Sequence, residues 1–87
     1  MKIKMFTKTV CPTCKVAKQQ LSFLPVPAEI NEINIETDYV PYKGDMIDAS
    51  VYLTEILDSM STPTFEFEDG SVVRGFEIGQ IMEKLGL

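Results

Sequence analysis

Histidine is absent from the 87 residues, cysteine occurs only twice, and no apolar run reaches the length of a signal-peptide core or a membrane span. Without histidine there is no imidazole base, and the two cysteines offer only half of a tetrahedral zinc site, so a metal would need a second chain or exogenous ligands. Cys11 and Cys14 stand three apart, and a disulfide between them closes too short a loop to staple a fold. This argues against a secreted disulfide scaffold, and a chain free of the membrane, in the cytoplasm, is expected. Acids are also missing from the first 28 residues, which hold five lysines. The remaining 59 residues carry all 13 acids against Lys43, Arg74 and Lys84. The net charge of −5 argues against a nucleic-acid partner, but both cysteines lie in the basic part.

What is present suffices for one small domain, 1–87, in which 45% hydrophobic residues can bury a real core. Lys2 to Phe6 alternates lysine with apolar residues and predicts a strand; Thr7 to Val10 then loops into the cysteines. Cys14, Ala17, Leu21 and Leu24 recur at helical spacing, and Pro25 and Pro27 end that helix. Ile30 to Glu36 reads as a second strand, and Thr37 to Gly44, with two tyrosines, Pro41 and Gly44, as a loop. Asp45 is placed to cap a helix through Met46, Ala49, Leu53, Ile56, Leu57 and Met60, closed by Ser61 and Pro63. Thr64 to Phe67 and Ser71 to Arg74 form a hairpin about Asp69-Gly70, and Ile78, Ile81, Met82 and Leu85 mark a last helix stopped by Gly86. The order is βαβαββα, an α/β fold with a mixed sheet whose first unit is a parallel crossover.

The chemistry concentrates where the first strand feeds the first helix. Cys11 before Pro12 falls at the N-cap, because proline is favoured at the first helical position. Free N–H groups and the helix dipole there favour an anion, so Cys11 is the expected nucleophile. Cys14, one turn on and on the inner face, is the expected resolving thiol. Lys8 and Lys15 either stabilise the thiolate or are solvated surface charges. A Cys-x-x-Cys that follows a strand and opens a helix is a redox signature; a zinc half-site and an inert structural disulfide are the other readings.

The run Lys8-Thr9-Val10-Cys11-Pro12-Thr13-Cys14 resembles the active site of the glutaredoxins, with Thr13 where that family usually has tyrosine, and the chain is similar over nearly its whole length to the family's short phage and bacterial members. The resemblance implies a thioredoxin fold with a four-stranded mixed sheet flanked by helices. Ser61-Thr62-Pro63 resembles the family's cis-proline turn, which implies that Pro63 follows a cis bond and that the Thr62 backbone pairs with an extended substrate. Arg74-Gly75-Phe76-Glu77 stands where glutaredoxins receive the γ-glutamyl end of glutathione: Gly75 would let the substrate approach, and Glu77 would stand in for an aspartate at a helix N-terminus. Arg74 replaces a glycine and Ile78 a second aspartate, while Gly75-Phe76 is also similar to the glutaredoxin-like donors of ribonucleotide reductase that draw on thioredoxin reductase. Phe76 also reads as a core residue, and Glu77 as a helix cap. The resemblance thus implies a monomeric thiol–disulfide oxidoreductase serving electron transport and cell redox homeostasis, with glutathione as co-substrate, no metal, and disulfide-containing proteins as partners. The alternative is a binding module in which glutathione and Cys11 of two chains hold an iron–sulfur cluster.

Overall fold

The computed structural model describes residues 2–23 and 29–86. Strand β1 (Lys2–Thr7) lies inside a four-stranded sheet of order β2-β1-β5-β6, parallel to β2 (Glu29–Asn34) and antiparallel to β5 (Thr64–Phe67), which in turn pairs antiparallel with β6 (Val72–Arg74). Helix α1 (Pro12–Ser22) makes the crossover between β1 and β2. Helix α3 (Ile78–Lys84) follows β6 and stops at Gly86, whose φ of +81° suits the left-handed conformation that ends helices. Leu24, Pro25 and Pro27, expected to complete and end the first helix, lie outside the described residues; within them α1 runs to a cap at Phe23. No described helix is long and apolar enough to cross a membrane.

The period-two alternation of β1 divides the interior. Ile3 and Met5 point to one face, where Phe65, Phe67 and Val73 meet Cys11, Cys14, Ala17 and Leu21 of the first crossover and Ile81 of α3. Phe6 points to the other, with Ile33, Val40, Ala49, Tyr52, Leu53 and Leu57. Phe6 and Phe65 are fully buried, each contributing about 1.5–3 kcal/mol of transfer free energy. Both cysteines thus belong to one of the two cores.

The β5–β6 hairpin forms as expected, with a detail in its turn. Gly70 N–H donates to Phe67 O at 3.0 Å, and Gly70 alone takes a positive φ, so the connection has three residues rather than two.

Two expectations in the middle of the chain are corrected. Thr37 to Gly44 is not a loop: Tyr39–Tyr42 forms β3, paired antiparallel with β4 (Asp45–Asp48), Val40 opposite Ile47 and Tyr42 opposite Asp45. Lys43 and Gly44 turn the hairpin with φ of +50° and +87°. Alternation explains it, since Val40, Tyr42 and Ile47 reach the second core while Tyr39, Pro41 and Met46 face outward. Proline is tolerated because each strand of a two-stranded ribbon has an open edge.

The helix expected from Met46 to Met60 is shorter. Asp45 lies in β4 and caps nothing; α2 (Ala49–Val51) starts after Asp48 and continues as a π-helical stretch, Tyr52–Ile56, in which Leu57 N–H reaches back to Tyr52 O at 3.1 Å. Asp58 then turns left-handed at φ +50° and ends it well before Ser61 and Pro63. Met46 and Met60, taken for buried positions, are 64% and 95% exposed. The second strand also stops at Asn34, because Thr37 and Asp38 N–H both turn back onto Asn34 O.

Candidate active site

Cys11 occupies the N-cap of α1 and Pro12 the first helical position, so the chain enters the helix with its early N–H groups free of proline's usual penalty. Cys14 N–H serves both the Cys11 carbonyl, at 3.1 Å, and the Cys11 sulfur, at 3.2 Å. No acidic side chain occupies the first turn, so the positive end of the helix dipole is left to the sulfur. Cys11 and Cys14 are joined as a disulfide, their Cα atoms 5.2 Å apart. The disulfide leaves little surface on either residue, 6% and 4%. Their surroundings distinguish them: the Cys11 sulfur has the helix N-terminus and a hydroxyl beside it, whereas Cys14 sits one turn deeper, in line with Ala17 and Leu21.

That hydroxyl belongs to Thr62. Its Oγ1 is 3.7 Å from Cys11 Sγ, a contact between residues 51 apart in sequence. A disulfide sulfur carries no proton, so the hydroxyl is the donor, and it would remain so toward a thiolate. The Thr62-Pro63 bond is cis, and Pro63 is fully buried. Behind it lies a ring of hydroxyls: Thr64 Oγ1 donates to Ser61 O at 2.7 Å and accepts from Ser59 Oγ at 2.8 Å, while Ser61 N–H reaches Ser59 Oγ at 3.4 Å. Ser59 and Thr64 are buried and fully engaged, which makes the turn a specified shape rather than a slack loop.

The Arg74-Gly75-Phe76-Glu77 segment meets the Ser61-Thr62-Pro63 turn through its backbone. Gly75 N–H donates to Pro63 O at 2.9 Å; with φ of +81° and nothing among the described residues within 4 Å of where a Cβ would stand, Gly75 keeps a left-handed, open position beside the proline. Phe76 is half-buried against the core that holds both cysteines. Glu77 is the exposed N-cap of α3 and makes no capping bond with its side chain, and its carboxylate has no hydrogen-bond or ion-pair partner among the described residues. Arg74 turns the other way: Nε donates to Asp58 O at 3.0 Å and Nη2 to Leu57 O at 2.7 Å.

Lys8, Thr13 and Lys15 are exposed around the disulfide. Glu36 accepts from Thr9 N–H at 2.7 Å; this bond and the Thr9 hydroxyl hold its carboxyl below the usual range, with the Lys8 charge adding to them.

Contacts thus link Cys11 to Cys14 and Thr62, Pro63 to Gly75, and Phe76 to the core that holds the cysteines, while Lys8, Thr13 and Glu77 are exposed. Sequence reasoning did not find Ser59, Thr64 or the inward use of Arg74. The crowding of hydroxyls in Ser59, Ser61, Thr62 and Thr64 was the available signal for the ring; the contacts of Arg74 join residues 16 and 17 apart and leave no local trace.

No protein-family model matches the chain, and neither does any curated protein. Among solved structures, the crystal structure of the thioredoxin-like protein BC3987 is similar at 32% identity and a TM-score of 0.71, over 93% of this chain and 96% of that one. A threonine-to-alanine mutant of BC3987 gives 31% identity and a TM-score of 0.73, over 95% and 97%. The glutaredoxin from Methanosarcina mazei Go1, at 22% identity, shares the fold with a TM-score of 0.72 over 99% of this chain and 79% of that one.

Proposed function

The chain belongs to the thioredoxin-like protein family and is a thiol oxidoreductase of glutaredoxin-like build, and we propose that it reduces protein disulfides or glutathione mixed disulfides through Cys11 and Cys14. The observation that carries this reading is the pairing of Cys11 at the N-terminus of α1 with the Thr62 hydroxyl at 3.7 Å. Helix N–H groups and a hydroxyl donor both favour the thiolate over the thiol, and the thiolate is the attacking species.

In the reduced protein the Cys11 thiolate attacks one sulfur of a substrate disulfide. A mixed disulfide forms and the other substrate sulfur leaves as a thiolate. Cys14 then loses its proton to solvent and attacks Cys11 Sγ, which releases the second substrate thiolate and leaves the Cys11–Cys14 disulfide, two electrons having passed to the substrate. Two glutathione molecules, themselves oxidised to the disulfide, or a reductase restore the dithiol. We place the protein in the reducing cytoplasm, where that restoration is continuous.

In this reading Thr62 offers its backbone to an extended substrate and Pro63 fixes the edge along which it lies. The open side of Gly75 and the uncommitted carboxylate of Glu77 support glutathione as co-substrate, Glu77 meeting the glutathione amine. Thr13, Lys8 and Phe76 would form the rim, the lysine attracting an anionic thiol. Among protein substrates, the disulfide of a ribonucleotide reductase fits the same chemistry, with thioredoxin reductase as the other electron source. The test compares turnover of a protein disulfide and of a glutathione mixed disulfide, each with glutathione plus its reductase and with thioredoxin reductase. Turnover with glutathione on both substrates is expected; no reduction of either substrate with either electron source would overturn the proposal.

A further inference from the structure

The geometry points to Arg74 as a positioning residue for the nucleophile: its guanidinium holds the loop from Leu57 to Pro63 in the shape that sets the Thr62 hydroxyl against Cys11 Sγ. The inference rests on the reading of Cys11 as the nucleophile.

The loop joins the end of the π-helical stretch to β5, and it is fastened at both ends by two adjacent residues. At its end, Gly75 N–H holds Pro63 O. At its start, the Arg74 side chain binds the carbonyls of Leu57 and Asp58 at 2.7 and 3.0 Å. These are carbonyls that a helix leaves unpaired at its C-terminus, where a cation is also favoured by the dipole. They flank the left-handed backbone of Asp58, a conformation that side-chain-bearing residues avoid and that an outside hold stabilises. The hydroxyl ring of Ser59, Ser61 and Thr64 fixes the loop's interior, and Ser59 N–H is tied to Leu53 O at 3.0 Å. Of these fastenings, the Arg74 contact lies where the loop leaves the helix and sets its direction toward α1. Thr62 is only half-buried, and its side chain is tied to nothing besides Cys11 among the described residues, so its aim follows the loop.

A planar guanidinium suits the task, because its donors are held in a fixed fork aimed at two neighbouring carbonyls, whereas an ammonium is a point charge on a flexible stem. The arginine where glutaredoxins usually carry glycine therefore has a use on the far side of the strand from the substrate. It shapes the site without entering it.

The experiment titrates the thiolate of Cys11 by its ultraviolet absorbance in four proteins: a Cys14→Ser parent, in which one thiol remains, and its Arg74→Gln, Thr62→Val and doubly substituted forms. Arg74→Gln and Thr62→Val are each expected to lower the thiolate fraction at fixed pH about two- to fivefold, the size of one weak hydrogen bond to a charged sulfur. The double variant is expected to lose no more than Thr62→Val alone, since the arginine acts through the threonine. Arg74→Lys, keeping the charge and N–H donors but not the planar fork, should restore part of the loss, and if Arg74→Gln fails to fold, Arg74→Lys with and without Thr62→Val carries the same cycle. An Arg74 effect that persists in full without the Thr62 hydroxyl would mean that its charge acts on the sulfur directly and would overturn the inference. So would an unchanged titration in Arg74→Gln. Neither outcome bears on whether Cys11 is the nucleophile, which Cys11→Ser decides by activity.

Discussion

Removing one oxygen atom by Tyr52→Phe isolates a charged hydrogen bond on the face of the sheet away from the sulfurs. The Tyr52 hydroxyl lies 2.8 and 2.9 Å from the two carboxylate oxygens of Glu66 and donates its single proton to that pair. The ring is 6% exposed and stacks on Phe6 with centroids 5.6 Å apart, packing that phenylalanine would keep. Hydrogen bonds to charged groups contribute about 1.5–3 kcal/mol. Glu66 would retain Lys4 at 3.7 Å, and its side chain is 17% exposed to water, so the lower end applies, about 1.5 kcal/mol. For a domain of this size that corresponds to a fall in Tm of roughly 6–12 °C. Burial, then the Glu66 hydrogen bond and charge, push the Tyr52 hydroxyl well above its ordinary value of 10.0. A group whose folded pKa is raised contributes its stability in full below the unfolded value and loses it as pH rises above it. The gap between parent and Tyr52→Phe in urea unfolding should therefore be constant near neutrality and shrink between about pH 10 and 12. A variant within about 0.5 kcal/mol of the parent at pH 7, or a gap that does not close in alkali, would refute the reasoning.

Cys11→Ser should abolish every reductase activity, whereas Cys14→Ser should trap a mixed disulfide on Cys11, seen by mass spectrometry, and lose protein-disulfide reduction while keeping some deglutathionylation. If Cys14→Ser loses both activities, the protein is a dithiol donor fed by a reductase. Leu53→Ala, at a 2%-exposed position in the core remote from the cysteines, should lower stability by about 2–5 kcal/mol in urea unfolding while leaving the rate per folded molecule near that of the parent. The depressed titration of Glu36 adds stability above its ordinary value of 4.5 that is lost as pH falls through the lower folded value. Glu36→Gln should flatten that acid limb and speed hydrogen exchange at the Thr9 amide, and equal exchange in both proteins would refute the tether.

Where the signal was local, the sequence was legible. Strand β1, the N-cap cysteine followed by proline, the Asp69-Gly70 turn and the Gly86 stop each rest on a few consecutive residues, and each took the expected place. The β3–β4 hairpin was missed because its turn is made by Lys43-Gly44, a pair that lacks the asparagine or aspartate which usually announces two positive φ angles. Met46, Ala49 and Leu53 happen to satisfy helical spacing, but pairing with Pro41 places Met46 in β4, where its side chain faces solvent. Asp45 and Asp48 were equally good caps by composition; strand pairing decided between them. At the site, the positions of Cys11 and Cys14 were readable, but the Thr62 hydroxyl contact and the hold of Arg74 on Leu57 and Asp58 depend on strand order and could not be read from spacing.

The central place of β1 has a consequence for how reactivity arises during folding. The helix cap at Cys11 needs only residues 11–15, and a short helix by itself is marginal in water, so the unfolded chain offers the sulfur little of that stabilisation. The Thr62 hydroxyl arrives only when β5 docks beside β1, a closure spanning some fifty residues and entropically slow. Until then Cys11 behaves as an ordinary cysteine thiol. The reactivity of Cys11 toward a disulfide probe at moderate pH should therefore rise when the chain's two halves join, a chemical report on the completion of the sheet.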